Sequence, residues 1–359
     1  MADDPAEVPL ARPVLGEAEE AAVIEVLRSR QLSLGPRVPA FEQAFAARLG
    51  VAHACAVSSG TAGLHLALRA AGVGEGDEVV TSPFSFVASA NAPIFERARP
   101  VFADIDPRTL NLDPAAAAAA ITDRTTALLP VHIFGYPADL PAFEALGAVH
   151  ADGTPVGARG HPAVFGFYAN KQLTTGEGGM VTTAAAAVKA RMDSERNQGR
   201  APDMGWLDHD RLGFNYRLTD IACAIGLAQL DRLDDMLAGR ARAAAGYRAA
   251  LAGIEGLELP CEDSGGDRRG WFVFVVQLPR GTDRDATIRA MRERGVQSKP
   301  YLPAIHLMTY YRETFGHRAG EFPVCEDVAA RSVALPFFPE LSEGQIERVA
   351  TVLREVLGR

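Results

Sequence analysis

Two periods of hydrophobic and polar positions alternate along the chain. Short apolar runs, typical of buried strands, occur at 54–57, 78–81, 100–103, 127–131 and 163–168. Segments with apolar residues at every third or fourth position, typical of amphipathic helices, separate most of these runs. Strand and helix alternating at such close intervals predict an α/β fold with a mostly parallel sheet and right-handed crossovers. We expect the turns after these runs to meet at the carboxyl ends of the strands, where such folds bind ligands.

Helical spacing predicts the elements that flank these strands. It covers residues 14–30 and 39–49 at the amino-terminal end, and the second of these helices should end at Gly50. The positions expected to face inward are Val23, Val26 and Leu27 in the first helix and Phe41, Phe45 and Leu49 in the second. Further helices are expected at 62–71, 87–96, 114–121, 184–199 and 221–251. The charged residues expected on a solvated face of the helix at 184–199 are Lys189, Arg191 and Arg196.

The pattern changes after about residue 250. Residues 253–265 are rich in turn formers, and a strongly apolar run at 271–276 predicts a new strand. The elements expected after it are a helix at 287–294, a short strand at 296–301, and helices at 321–335 and 342–357. Strands and helices in this order predict a small α+β domain. We therefore expect a large domain at residues 1–250, including the amino-terminal helical segment, and a small carboxy-terminal domain at 251–359.

Composition narrows the class of protein. The chain has 359 residues, of which 48% are hydrophobic and 23% charged, and a formal net charge of −9. These fractions are ordinary for a globular protein, and the absence of a basic block disfavours nucleic acid and anionic membranes as partners. The four cysteines are far apart in sequence, so neither a disulfide framework nor a metal site is expected. The amino-terminal residues are acidic and lack the apolar core of a signal peptide, which predicts a cytoplasmic protein.

One lysine lies where its chemistry should differ from that of a surface lysine. The apolar run at 163–168 ends in a polar, glycine-rich loop that holds Lys171. A lysine packed at the end of a core strand loses part of its hydration, which lowers its pKa, and a neutral amine attacks a carbonyl. Lys171 is therefore a candidate Schiff-base nucleophile. A solvated lysine on a turn is the alternative that these residues leave open.

The turn after the first strand has the geometry of an anion site. Ser58-Ser59-Gly60-Thr61 connects the strand at 54–57 to the helix at 62–71. A strand, a small hydroxyl-rich turn and a helix present free N–H groups and the positive end of the helix dipole to an anion. A plain helix cap by Ser59 or Thr61 is the alternative.

These two stretches carry a resemblance to a known family. The stretch F-G-F-Y-A-N-K-Q-L-T-T-G-E-G-G resembles the lysine signature of the DegT/DnrJ/EryC1/StrS aminotransferases, and S-S-G-T-A-G-L-H-L-A-L resembles their phosphate-binding turn. The segments T-S-P-F-S-F-V-A-S, P-V-H-I-F-G-Y-P and G-F-N-Y-R-L-T-D are also similar to the family. The resemblance implies a fold-type I enzyme that depends on pyridoxal 5'-phosphate (PLP). The reaction it implies converts a nucleotide-linked keto-sugar to an amino-sugar, with glutamate as amino donor, in polysaccharide or antibiotic biosynthesis.

The resemblance also implies roles for individual residues. Lys171 would hold PLP, and its presence favours transamination, because related dehydratases of the superfamily lack this lysine. The residues expected to bind the rest of the cofactor are Ser59, Gly60 and Thr61 at the phosphate, Phe86 over the pyridine ring, and Asn215 at the phosphate in the other subunit. Asn215 acting across subunits would require a homodimer. The residues expected to contact substrate are Arg217 and His306, with a purely structural histidine as the alternative at position 306.

Two departures from the family pattern accompany the resemblance. In the family, a strand ending in an acidic pair supplies the aspartate that pairs with the protonated pyridine nitrogen and so sustains the electron sink of PLP. That strand is absent between Leu146 and Gly147, which implies a deletion, and Asp152 lies in a turn motif that we do not expect to replace it. A homologue that keeps the scaffold but has lost PLP chemistry is therefore the alternative to an active enzyme. The second departure is Gly166, where many members have a serine that contributes to phosphate binding.

Overall fold

The computed structural model of the protein describes residues 7–145, 162–201, 208–264 and 267–358. The strands within these residues are β1 His53–Val57, β2 Glu78–Thr81, β3 Arg99–Phe102, β4 Thr125–Leu129, β5 Ala163–Gly166, β6 Gly179–Thr183, β7 Phe274–Gln277, β8 Lys299–Pro300 and β9 Ser332–Leu335. The α-helices are α1 Glu17–Ser29, α2 Arg37–Leu49, α3 Gly60–Ala70, α4 Ala88–Phe95, α5 Pro114–Ala119, α6 Leu140–Ala145, α7 Ala186–Arg196, α8 Asp220–Asp231, α9 Leu233–Leu251, α10 Arg284–Glu293, α11 Thr309–Phe315, α12 Pro323–Arg331 and α13 Glu343–Leu357. Strand and helix alternate from β1 to β4, which confirms the predicted α/β architecture.

The strands form three sheets of three strands each within the described residues. One has the order β3-β2-β4 and is entirely parallel. The second has the order β1-β6-β5, in which β6 runs antiparallel to both neighbours. The third, β7-β9-β8, is antiparallel and packs against α9, α10 and α13. The predicted site residues Ser59, Phe86 and Lys171 follow strands of the first two sheets, namely β1, β2 and β5.

The first two sheets are separated at one pair of strand edges. Within the described residues, β4 pairs only with β2 and β5 only with β6. Helix α3 packs on both sheets through adjacent residues: a Cβ built on Gly63 would lie 2.8 Å from Val164 of β5, and Leu64 packs in one cluster with Leu129 of β4. Helix α3 therefore packs across both sheets, next to β4 and β5.

This separation bears on the deletion that the sequence predicts. The residues between α6 and β5, including Leu146, Gly147 and Asp152, lie outside the described residues, so the deletion stays a prediction. Edges that have no partner within the described residues are what the loss of a central strand would leave. Like the edge strand β3, strands β4 and β5 contain exposed positions, whereas every residue of the central strands β2 and β6 is buried.

Two leucines predicted to face inward are exposed. Val26, Phe41 and Phe45 are buried as predicted, but Leu27 is 52% and Leu49 is 43% exposed. Leu27 follows Val26 by one position, which is a rotation of about 100° around the helix, and so faces away from α8. Leu49 lies in the last turn of α2, next to the left-handed Gly50 that ends the helix as predicted.

The prediction of a solvated charged face on α7 is wrong for Lys189 and Arg196. Their side chains are 18% and 13% exposed, and both pair with the buried Glu42. Arg196 also pairs with Asp193 and donates to the carbonyl of Ala56 in β1, 2.6 Å away. The charges face inward because the carboxylate of Glu42 in α2 and the carbonyl of Ala56 in β1 are buried there and need partners. The two cations form an ion-pair network with those groups beneath the sheet.

The long helix predicted at 221–251 and the helix predicted at 321–335 are both interrupted. Arg232 separates α8 from α9. The residues predicted to be the end of the other helix form β9, the central strand of the third sheet, and all four are buried. Ser-Val-Ala-Leu fits a helix or a strand, and hydrogen bonds to β7 and β8 decide for the strand. The last helix is confirmed, with a capping box between Ser342 and Gln345.

Candidate active site

The turn between β1 and α3 presents helix N–H groups on the same side as the lysine loop. Ser59 is extended, and its hydroxyl accepts the N–H of Ala62 at 3.1 Å, so the predicted helix cap is confirmed. The carbonyl of Ser59 accepts the N–H of Gly63 at 3.1 Å. Because the first N–H groups of a helix have no partner within it, those of Gly60 and Thr61 stay available to an anion. The cap and the anion site are therefore compatible.

Glycines let three backbone segments meet at this turn. A Cβ on Gly60 would lie 3.3 Å from the Cα of Gly166, at the end of β5. A Cβ on Gly179, at the start of β6, would lie 2.8 Å from the backbone of Ser59. The ends of the lysine loop thus lie directly against the N-terminus of α3. The structure brings together Ser59, Gly60 and Thr61 with the segment that carries Lys171.

The lysine loop is held by its own backbone. The N–H of Phe167 donates to Gly178 at 2.9 Å, and the N–H of Thr175 donates to Phe167 at 3.0 Å. Within the loop, the N–H of Lys171 closes a turn onto the carbonyl of Tyr168 at 2.9 Å. The side chain of Gln172 donates to the carbonyl of Gly270 at 2.7 Å and ties the loop to the segment before β7. The loop is therefore a fixed support for its lysine.

The amine of Lys171 lies in an apolar, cationic surrounding. Its Nζ is 3.9 Å from the centroid of the Phe272 ring. Burial, and secondarily the positive charge of Arg240, lower the pKa of Lys171 to about 8 from 10.5. A shift of this kind raises the share of neutral amine at pH 7 by about two orders of magnitude. The sequence-based expectation of a desolvated lysine thus agrees with its geometry.

An extended segment, residues 213–217, lies between the end of β1 and the end of α7. The N–H of Ser58 donates to the carbonyl of Tyr216 at 2.8 Å, so the segment borders the turn at α3. Phe214 and Tyr216 stack on each other with their ring centroids 4.9 Å apart. The residues between and after them point the other way, and Asn215 is exposed. Arg217 donates to the side chain of Asn197 at 2.8 Å.

A buried network underneath holds that segment in place. His65 of α3 lies 3.2 Å from the Tyr216 hydroxyl through Nδ1 and 2.5 Å from Glu96 through Nε2. Arg69 donates to both carboxylate oxygens of Glu96 at 2.8 Å, and its guanidinium lies 5.2 Å from the ring of Phe214. Helix α3 therefore both offers its N-terminus to an anion and fixes the neighbouring segment that carries Asn215.

Phe86 and His306 occupy different environments. Phe86 follows β2 and is 67% exposed, so its ring is free to cover a flat ligand. His306 is fully buried, with Nε2 3.0 Å from Glu326 and its ring 4.7 Å from that of Phe322. Burial lowers the pKa of His306. This geometry favours a structural role for His306, the alternative that the sequence left open. The loop that carries His306 nevertheless lies near Phe86, because the N–H of Ile305 donates to the carbonyl of Pro83 at 2.8 Å.

Sequence reasoning missed the groups behind the lysine, Phe272 and Arg240. Arg240 of α9 donates to the carbonyls of Lys171 at 3.1 Å and Phe272 at 3.0 Å. A signal for it was present, because Arg240 lies at helical spacing from Ala243, Ala244 and Tyr247, all of them buried. A charged residue on an inward-facing stripe indicates a buried partner or a functional site.

One cluster of possible metal ligands occurs within the described residues. Glu42, Cys55 and Asp193 offer ligand atoms within 4.8 Å of one another. Both carboxylates are already paired with Lys189 and Arg196, and burial raises the pKa of the Cys55 thiol to about 12. A protonated thiol and neutralised carboxylates are poor metal ligands, so the cluster is an ion-pair network.

Several known proteins are similar to this chain over nearly its whole length. The model of the DegT/DnrJ/EryC1/StrS aminotransferase family matches residues 13–354. The spore coat polysaccharide biosynthesis protein SpsC of Bacillus subtilis is 37% identical over 378 aligned positions, which cover 98% of this chain and 97% of SpsC. The aminotransferase TlmJ from Streptoalloteichus hindustanus has a TM-score of 0.88 and 34% identity, covering 98% of this chain and 99% of its own. The 3-amino-5-hydroxybenzoic acid synthase structure has a TM-score of 0.89 and 29% identity, covering 99% of both chains.

Two further findings qualify the match. The alignment with SpsC is longer than this chain, so at least 19 of its positions, the excess of 378 over 359, are gaps in this chain. Within the described residues, no helix has both the length and the apolar character needed to cross a membrane.

Proposed function

We propose a reaction for this chain from one premise: it belongs to the DegT/DnrJ/EryC1/StrS aminotransferase family, a fold-type I family of PLP-dependent sugar aminotransferases. The reaction is the conversion of a nucleotide-linked keto-sugar to an amino-sugar, with glutamate as amino donor. The observation that carries the proposal is Lys171, an amine with a pKa lowered to about 8, on a loop packed against the N-terminus of α3.

PLP would be held by its phosphate, its aldehyde and its pyridine nitrogen, and the described residues fit the first two of these groups. The N–H groups of Gly60 and Thr61, next to the N-cap residue Ser59, suit the phosphate dianion. The amine of Lys171 suits the aldehyde, since a neutral amine is the reactive form. When bound, PLP supplies an electron sink for the substrate carbon that loses a proton. Lys171 then has the position and the lowered pKa of a group that carries that proton through its Nζ.

The remaining assignments complete the proposal. Phe86 covers the cofactor ring, and Arg217 contacts substrate. Asn215 reaches the phosphate of a second subunit, which makes the enzyme a homodimer, and its exposure in the single chain supports this. His306 stands as a weaker substrate candidate because its side chain is buried. A cytoplasmic location remains the expectation from the sequence.

A specific observation favours a second candidate function. Among the described residues, β4 pairs only with β2 and β5 only with β6, and the family's acidic strand would lie between these two strands. A chain without the partner of the pyridine nitrogen would keep the phosphate turn and Lys171 but lose the stabilisation of the carbanion. The second candidate is therefore an impaired or non-catalytic homologue that still binds PLP.

The first experiment asks whether the site assembles. The purified chain is incubated with PLP, desalted, and its visible absorption is recorded before and after borohydride reduction. The chain has three lysines, Lys171, Lys189 and Lys299, so peptide mass spectrometry can assign the reduced adduct. We expect a retained band and an adduct on Lys171 that is lost in Lys171→Ala and kept in Lys299→Ala. An adduct that persists in Lys171→Ala on another lysine would refute the assignment.

The second experiment separates the two candidate functions. The PLP-loaded chain is incubated with glutamate and a panel of nucleotide-linked keto-sugars, and 2-oxoglutarate is measured. Formation of 2-oxoglutarate that depends on both the sugar and Lys171 supports the aminotransferase. Retained PLP without any 2-oxoglutarate from glutamate supports the impaired homologue.

A further inference from the structure

Arg240 is a buried guanidinium whose hydrogen-bond partners within the described residues are all carbonyl groups, and it also lies 5.8 Å from the centroid of the Phe337 ring. It is 3% exposed. Its hydrogen bonds within the described residues go to the carbonyls of Phe272 at 3.0 Å, Lys171 at 3.1 Å and, more weakly, Asn170 at 3.5 Å. Its Nε has no partner among the described residues. The buried Arg196 and Arg331, in contrast, pair with carboxylates.

Such an arrangement does not serve stability alone. A buried charge without a counter-ion destabilises the fold relative to a paired one, and carbonyl groups compensate only part of the lost hydration. Burial accordingly lowers the pKa of Arg240 to about 10, which still leaves it charged at neutral pH. A neutral side chain on α9 would avoid that cost, so the placement of the charge indicates a role at the neighbouring site.

The geometry of the three carbonyls shows what Arg240 controls. Two of them belong to consecutive residues of the lysine loop, Asn170 and Lys171, and the third belongs to Phe272. The ring of that same Phe272 lies 3.9 Å from the Lys171 Nζ. One planar guanidinium therefore joins the backbone that carries the amine to the backbone that carries the ring beneath it.

We propose that Arg240 is the positioning residue of Lys171, fixing the lysine backbone relative to Phe272 so that the amine is held over that ring. This rests on the proposed function, in which Lys171 holds PLP. Arg240 also acts on the amine through space, because its positive charge disfavours a second positive charge at Lys171. The same residue thus sets the direction of the amine and favours its neutral, reactive form.

The groups that face Lys171 are few within the described residues. Arg240 approaches from α9, and Phe272 from the segment before β7. Tyr301 interacts with Asn170, and burial raises the pKa of its hydroxyl, so it stays neutral at the pH of interest. Arg240 is thus the charged group to vary, and removing its charge should raise the pKa of Lys171.

The test measures Lys171 itself in PLP-free protein. Competitive labelling with trace acetic anhydride between pH 6 and 11, followed by peptide mass spectrometry, gives a reactivity profile for each of the three lysines. The variants are Arg240→Met, which removes the charge, and Arg240→Lys, which keeps a charge without the planar fork. Arg248→Met is the control for the loss of an arginine from the same helix, because Arg248 donates to two carbonyls, those of Pro260 and Cys261 at 2.8 and 3.0 Å, and pairs with Glu262 instead of binding the lysine loop. Hydrogen–deuterium exchange of residues 168–176 reports the position of the loop.

The expected results separate charge from geometry. In Arg240→Met the midpoint for Lys171 should rise by about one pH unit, so that labelling at pH 7 falls about tenfold. In Arg240→Lys the midpoint should stay at the wild-type value. Both variants should show at least severalfold faster exchange in the loop, and Arg248→Met should change neither quantity.

Two outcomes would overturn the proposal. One is an unchanged midpoint in a folded Arg240→Met protein; the other is an equal shift in Arg248→Met, which would indicate a general loss of packing. If Arg240→Met does not fold, Arg240→Lys decides, since loop exchange equal to wild type would also overturn the positioning role. Failure of Lys171 to trap PLP would instead refute the proposed function, and the labelling result would still decide the role of Arg240.

Discussion

Replacing Gly166 with serine should tighten the binding of PLP. Gly166 ends β5 next to the turn at α3, and it is not among the glycines with a left-handed backbone. A Cβ built there would lie 3.9 Å from the Cα of Gly60, which is an ordinary van der Waals contact. A serine therefore fits without displacing the backbone and adds a hydroxyl beside the proposed phosphate site.

The magnitude follows from the new hydrogen bond. A hydrogen bond to a charged group contributes about 1.5–3 kcal/mol, which corresponds to a factor of roughly 10–150 in the dissociation constant. Ordering one short side chain offsets a few tenths of a kcal/mol, so the lower end of this range is expected. We expect Gly166→Ser to bind PLP about tenfold more tightly than the wild-type chain.

The assay is a PLP titration followed by the quenching of tryptophan fluorescence. Gly166→Ala is the matched control, because it adds the same Cβ without the hydroxyl and should bind PLP like the wild type. Gly179→Ala is the opposite control, because its Cβ would lie 2.8 Å from the backbone of Ser59 and should weaken binding. Equal affinity in Gly166→Ser and Gly166→Ala would refute the placement of the phosphate at this turn.

Three further predictions concern stability. Arg196→Met should lower the free energy of unfolding by about 3 kcal/mol or more, because it removes a hydrogen-bond partner from both the buried Glu42 and the Ala56 carbonyl. Arg97→Met breaks an ion pair with Glu75 that is exposed at both ends and should cost under about 1 kcal/mol. Urea unfolding of both variants decides, and equal effects would contradict the buried network. Gly226→Ala should lower the free energy of unfolding by about 1–3 kcal/mol, since its Cβ would lie 2.5 Å from the fully buried ring of Phe41. Gly344→Ala in α13 is the control, because its Cβ would meet open space, and it should raise the stability by about 0.5–1 kcal/mol in thermal unfolding. An unchanged stability in Gly226→Ala would mean that α2 and α8 can separate freely. The pKa of Lys171 is about 8 in the folded state against 10.5 normally, so between these pH values the unfolded state binds more protons and stability rises with pH. From pH 8 to pH 10 the free energy of unfolding of the wild type should rise by about 2 kcal/mol more than that of Lys171→Met. Parallel pH profiles of stability would show that Lys171 is not desolvated.

Helices and strands could be predicted from local sequence wherever the hydrophobic periodicity agreed with the capping and turn-forming residues at the ends of the element. The strand at 78–81 was predicted to the residue, and α13 to within one residue, because Ser342 and Gln345 form a capping box that local chemistry encodes. Other features depended on partners far away in sequence. Ser332–Leu335 became a strand because β7 and β8 lie on either side of it, and Lys189 turned inward because Glu42 is buried beneath α7.

The candidate site divides in the same way. The motifs around Ser59 and Lys171 were identified from sequence, and the structure brings these two stretches together through the close approach of Gly60 and Gly166. Arg240 was not predicted to belong to the site, because it lies 69 residues from Lys171 and only packing connects them. His306 had a local context that suggested substrate contact, but its burial was decided by Glu326 and Phe322.

Helix α3 has a consequence for how the protein melts. Backbone hydrogen bonds are continuous within each of the first two sheets but not between β4 and β5 among the described residues, so the helix joins the sheets through its side chains. Native proteins open in roughly contiguous cooperative units, and we expect each of these two sheets to form one such unit. A phosphate-bearing ligand bound at the N-terminus of α3 would stabilise the connecting element itself and couple the two units. Calorimetry should therefore show a broad or double transition in the ligand-free chain and a single, sharper one after the ligand binds.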